Sequence, residues 1–201
     1  MTLLIAGLLV FVAAHLVTTM TGTRGRLVAR LGRGGYMGLY SLVSAVGLAM
    51  IVAGYARTPY VALWDAPVWM RHVTFALMLP VFPLLVGAYL PGQTKRVIHH
   101  PMLTAVIVWA CAHLLIRGTL AAAILFAALL AWAVYDLVSV RGRERAGLLA
   151  IKTGPWRNDV IALAIGLAVY LVMINWGHKM LIGVPILPPN LPPWVPTWLG
   201  G

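Results

Sequence analysis

Six long apolar stretches leave this chain few ways to fold. Thr2–Met20, Tyr36–Tyr55, Val68–Leu90, Pro101–Arg117, Thr119–Val140 and Val160–Met180 run for 17 to 23 residues each with scarcely a charge. At about 1.5 Å of helical rise per residue, roughly 20 such residues cross the hydrocarbon core of a bilayer. Of 201 residues 62% are hydrophobic and 9% charged, where a soluble domain carries roughly 25% charged. A water-soluble domain is thereby excluded, and so is a disordered chain, which needs low hydrophobicity. The expectation is an all-α integral membrane bundle of six transmembrane helices. Its shortest member is Pro101–Arg117, which starts on a first-turn proline and leads through Gly118 into the next stretch.

The charges then orient the bundle. Lys and Arg number 15 against 4 Asp and Glu, a formal net charge of +11. Eleven of the fifteen fall in three alternate loops: Arg24 to Arg33, Lys95 and Arg96, and Arg141 to Arg157. Positive residues gather on the cytoplasmic side, so both termini are expected outside the cytoplasm in a multi-pass membrane protein. This accounts for the basicity without nucleic acid and implies contact with anionic membrane lipids. No basic residue precedes the first stretch, the reverse of a cleaved signal peptide, so it reads as a retained helix. Residues 1–182 read as one membrane domain. Residues 183–201 read as an extracytoplasmic tail, extended like polyproline, with Trp194 and Trp198 at the interface. Tyr36, Tyr55, Tyr60, Trp64 and Trp69 are placed in the same aromatic belts. Ser41, Ala45, Ala49 and Ala53, continued by Gly34 and Gly38, form a row of small residues suited to close helix approach.

Ionisable side chains within a span are costly and mark candidate sites. With four acids in the chain, carboxylate-rich di-iron chemistry is excluded, and the single Cys111 permits no disulfide. Six histidines remain. His72 and His178 fall at span ends, where half-exposed imidazole is ordinary. His15 and His113 each have apolar residues before and after them in a helix. A neutral imidazole there either ligates a transition metal such as haem iron or hydrogen-bonds to a neighbouring helix. Asp136, one turn after Trp132, either orients a ligand histidine or moves a proton, or else pairs with loop arginines such as Arg141. Cys111 lies about 200° around the helix from His113 and reads as packing. Depth places His15 about 6 Å inward and His113 about 6 Å outward of the midplane, and by depth alone His15 pairs with His100 and His113 with His72. Pro80 and Pro83 are expected to kink the third stretch and open a cavity on its inner side.

KRVIHHPM (Lys95 to Met102) followed by WACAHLL (Trp109 to Leu115) resembles the NnrU family of six-helix membrane proteins. FVAAH (Phe11 to His15), GGYMGLYSLVS (Gly34 to Ser44) and WAVYD (Trp132 to Asp136) support the resemblance. It is shared with the plant zeta-carotene isomerases, which carry haem b. It implies a haem b site with His15 and His113 as metal ligands between the first and fourth helices; His100, which matches the histidine of the family's basic-His-Pro motif, and Asp136, from its own position, are added as cofactor-binding candidates. The isomerase cysteine three positions before the second ligand falls on Ala110, and His99 stands where the family usually has arginine. The resemblance further implies denitrification and nitric oxide metabolism, or a redox-type isomerisation of a lipophilic substrate. The alternative is an accessory factor that supports a nitrogen-oxide reductase as a membrane partner, its histidines only packing. A basic-His-Pro element also occurs in isoprenylcysteine methyltransferase-like enzymes, but those need a larger, acidic C-terminal part. Transport lacks support, since no span holds a mid-helix Gly-Pro break and no halves repeat.

Overall fold

The computed structural model of the protein describes residues 1–186, and the two tail tryptophans lie outside the described residues. Within that range the regular elements are helices, apart from one antiparallel bridge between Ala62 and Thr119. In order they are α1 (Thr2–Thr19), α2 (Thr21–Ala56), α3 (Met70–Met78), α4 (Val81–Tyr89), α5 (Pro101–Ile116), α6 (Leu120–Arg145), α7 (Trp156–Val172) and α8 (His178–Ile182). A 3-10 turn, Gln93–Arg96, follows α4, and a π turn, Met173–Gly177, joins α7 to α8. The chain forms two compact units.

The first unit comprises residues 1–75 and 106–151. Its foundation is the pair α1 and α2, which touch along glycines. A Cβ on Gly47 would stand 2.8 Å from the Phe11 nitrogen, and one on Gly7 would stand 2.7 Å from the Ile51 nitrogen. A Cβ on Gly54 would run into the backbone of Leu4. Without a hydrophobic driving force between helices in lipid, such backbone approach is what makes packing favourable. The contact row is therefore Gly47 and Gly54, seven residues apart. The expected row is not in contact: Ser41, Ala45 and Ala49 are exposed, and Gly34 and Gly38 have open space around them. Helix α6 closes the core, where Ala121 packs with Leu4, Leu8 and Ile51, and where Phe126 and Ala122 pack with Ala110 of α5. The turn into α6 is pinned by the Gly118 carbonyl, which accepts from Leu63 N at 2.7 Å and from Trp64 N at 3.2 Å.

The second stretch also differs from expectation at its start. Helix α2 extends back to Thr21 across a kink at Gly32, whose φ of 71° suits glycine. The preceding segment is helical because Leu27, Val28 and Leu31 recur at helical spacing among arginines, which are good helix formers. It brings the Arg24 guanidinium to 6.0 Å from the Tyr36 ring, and Tyr36 is buried rather than part of an exposed belt.

The second unit comprises, among the described residues, 76–105 and 152–186. The third stretch is broken there, as its prolines require: Pro80 has no N–H to continue α3 and instead caps α4. Gly166 of α7 lies against the Pro83 backbone and Ala162 faces Gly87, so α4 and α7 pack closely. A polar latch holds the turn after α4. Asp159, in the first turn of α7, accepts from Gln93 N at 2.7 Å and Thr94 N at 3.1 Å, while Asn158 Nδ2 donates to the Pro91 carbonyl at 2.9 Å.

Among the described residues five helical stretches are long and apolar enough to cross a membrane: Thr2–Thr19, Thr21–Ala56, Met70–Tyr89, Leu120–Arg145 and Trp156–Ile182. The remaining apolar helix, α5, has 16 residues, about 24 Å of rise where the hydrocarbon core is about 30 Å.

The glycine contact has a measurable consequence. Gly54→Leu would force α1 from α2 and is expected to lower stability by at least about 1–3 kcal/mol, the usual cost of overpacking, read as a lower melting temperature in detergent. Gly38→Leu, with nothing within 4 Å, leaves it unchanged. Equal effects of the two would contradict this packing.

Candidate functional site

Both histidines singled out by the sequence lie in the first unit, and the chain treats them alike. His15 stands near the end of α1, where its Nδ1 donates to the carbonyl of Phe11, four residues earlier, at 2.7 Å. His113 stands near the end of α5, and its Nδ1 donates to the carbonyl of Trp109, again four residues earlier, at 2.9 Å. A carbonyl only accepts, so each Nδ1 carries the proton, and in the neutral ring the lone pair sits on Nε2. That is the tautomer from which imidazole ligates a metal, and a bond from the other nitrogen is the usual way to fix it.

Aromatic rings surround both imidazoles. Phe11 stacks on His15 with centroids 4.1 Å apart, while Trp132 and Tyr40 present edges at 4.9 and 5.3 Å. Phe126 stacks on His113 at 4.7 Å, and Trp109 tilts against it at 5.1 Å. Phe11 and Trp109 escaped the sequence reading as site residues. Their signal is nevertheless there: FVAAH and WACAH share an aromatic residue four positions before the histidine and an alanine just before it. That spacing puts ring over ring on one helix face. Trp132 and Phe126, the α6 contacts of the two histidines, are six residues apart, about 9 Å of helical rise.

Among these rings His15 and His113 have no neighbour in common, and the remaining candidates lie elsewhere. Asp136 lies four residues after Trp132, on the same face of α6. A rim arginine does reach it: Arg143 Nη2 is 3.9 Å from Asp136 Oδ1, and Arg143 Nη1 donates to the Thr18 carbonyl at 3.4 Å. The pair thus ties the end of α6 to the end of α1, where a cation also suits the helix dipole. His100 belongs to the second unit, next to Pro101, with the His99 ring edge-on at 6.4 Å. His72 is exposed, and His178 donates from Nδ1 to the Val184 carbonyl at 2.7 Å.

Among the described residues no group of three or more His, Cys, Asp or Glu side chains comes together to hold a metal ion. Haem needs less, because the porphyrin supplies four donors and the chain only axial ligands. Each histidine offers a donor of that kind, a lone-pair nitrogen of fixed tautomer beside a flat aromatic surface. Near His15 there is also unspent hydrogen-bonding capacity, since the Trp132 indole N–H is buried without a partner among the described residues. Such an orphan costs about 1–3 kcal/mol, which an acceptor on a bound molecule would recover.

Long apolar helices that carry half-buried imidazoles define a multi-pass helical membrane protein. The chain belongs to the NnrU family, whose model, described as NnrU protein, matches residues 3–186. No curated protein and no solved structure is significantly similar to it.

The tautomers can be read directly. Nitrogen NMR of histidine-labelled protein without added haem should show Nδ1–H at His15 and His113, assigned through His15→Gln and His113→Gln. Nε2–H at either position would contradict the geometry.

Proposed function

We propose that this NnrU-family protein binds haem b, which His15 and His113 would hold through their Nε2 atoms. One observation carries the reading: two helices each present an imidazole whose Nδ1–H is spent on its own helix and whose Nε2 carries the lone pair. Phe11, Tyr40, Trp132, Trp109 and Phe126 supply apolar walls that exclude water and favour a porphyrin face. Asp136 acts as a positioning residue, holding Arg143 and through it the end of α1 that carries His15. When bound, haem supplies one-electron chemistry and binding of small diatomic ligands. The family resemblance sets this in nitric oxide and denitrification metabolism, or in a redox-type isomerisation of a lipophilic substrate.

The topology belongs to the same reading. Six spans, with α5 as the short sixth, put both termini on the non-cytoplasmic side and the arginine-rich segments before Gly32 and around Arg143 on the cytoplasmic side of a bacterial inner membrane.

Protein purified from haem-supplied cells should show a Soret band and one haem per chain. His15→Ala and His113→Ala should each convert the spectrum from six- to five-coordinate, and the double variant should abolish the band. Colourless protein, or a spectrum indifferent to both substitutions, overturns the proposal.

A further inference from the structure

The second unit holds a cavity of about 510 Å³ that the histidines do not explain. Its origin is the proline break. Leu79, Pro80 and Pro83 form one side where the third stretch is interrupted, and Ala162, Leu163 and Leu167 of α7 form the other. Leu79 and Leu163 remain 46% and 51% exposed, so the cavity opens sideways on the apolar surface of the unit. Ligand pockets span about 300–1,000 Å³, and this one has the size and the lateral mouth for a molecule that enters from a bilayer.

One end is different in kind. Thr94, Lys95 and Asp159 line it, beneath the latch that follows α4. Asp159 spends its charge on two backbone N–H groups. Lys95 Nζ donates to the Ala88 carbonyl at 3.0 Å, one of the orphan carbonyls at the end of α4. An ammonium has three N–H donors, and among the described residues no carboxylate is paired with Lys95. A cation with donors to spare therefore stands at the polar end of an apolar pocket.

The geometry points to a binding site for a single-chain amphiphile with an anionic head, the head on Lys95 and the chain between α4 and α7. The site is independent of the haem reading, since its walls contain none of the proposed ligands.

Photocrosslinking of the full-length protein in nanodiscs with a diazirine-bearing palmitate tests the site. Labelling should concentrate on residues 79–87 and 160–167. Palmitate and hexadecyl phosphate compete in separate arms, which distinguish a carboxylate from a phosphate head. A charge-assisted hydrogen bond contributes enough for a preference of about tenfold over hexadecanol. Lys95→Gln should remove that preference while leaving the fold intact by circular dichroism, and Leu163→Trp should reduce labelling by narrowing the mouth. The His15→Ala, His113→Ala double variant should label as the unmodified protein does, so failure of the haem site leaves this result standing. Equal competition by hexadecanol, or labelling spread evenly over apolar surfaces, overturns the site.

Discussion

Water is absent from the hydrocarbon core, so each polar group placed there must find its partner within the chain. This constraint explains both the regular parts of the protein and its exceptions. Helices satisfy their own backbone. His15 and His113 satisfy one ring nitrogen on the turn that precedes them, and in doing so they fix which nitrogen carries the lone pair. With four acids in the whole chain, carboxylates have little part in this. Asp136 and Asp159 are spent on holding elements together.

Once polar groups are settled, close approach between helices decides the packing. Gly47 and Gly54 let α2 meet the backbone of α1, and Gly166 lets α7 meet the backbone of α4 at Pro83. The two contacts have different results. The first makes a continuous helix pair that carries His15 against Trp132. The second seats a helix against an interrupted one, and the interruption leaves space beside it. The aromatic surroundings of His15 and the cavity beside Pro83 thus arise from the same packing rule, applied in one case to a helix pair and in the other to a helix against a proline-broken partner.

Much of this is legible in the residues themselves. The apolar stretches locate the long helices because length and hydropathy alone decide membrane crossing. The break at Pro80 and its cavity are legible because proline lacks the N–H a helix needs. The small-residue row was misplaced for a physical reason: spacing by four identifies a stripe, but only the neighbouring helix determines which stripe is covered. The extension of α2 before Gly32 was hidden by its arginines, which read as a loop and in fact lie on a helix. His15 and His113 stand out as imidazoles within apolar stretches, whereas Phe11 and Trp109 look like ordinary span aromatics. Their role depends on a carbonyl and a ring meeting the same histidine, which appears only once the helix is built.

The central claim is that two imidazoles from separate helices reach one iron. Low-temperature electron paramagnetic resonance of the ferric protein reads the axial ligands directly. A low-spin bis-imidazole signal that converts to high spin when either histidine is replaced is the result this account predicts. A high-spin signal in the unmodified protein, or a low-spin signal that survives both replacements, would contradict it.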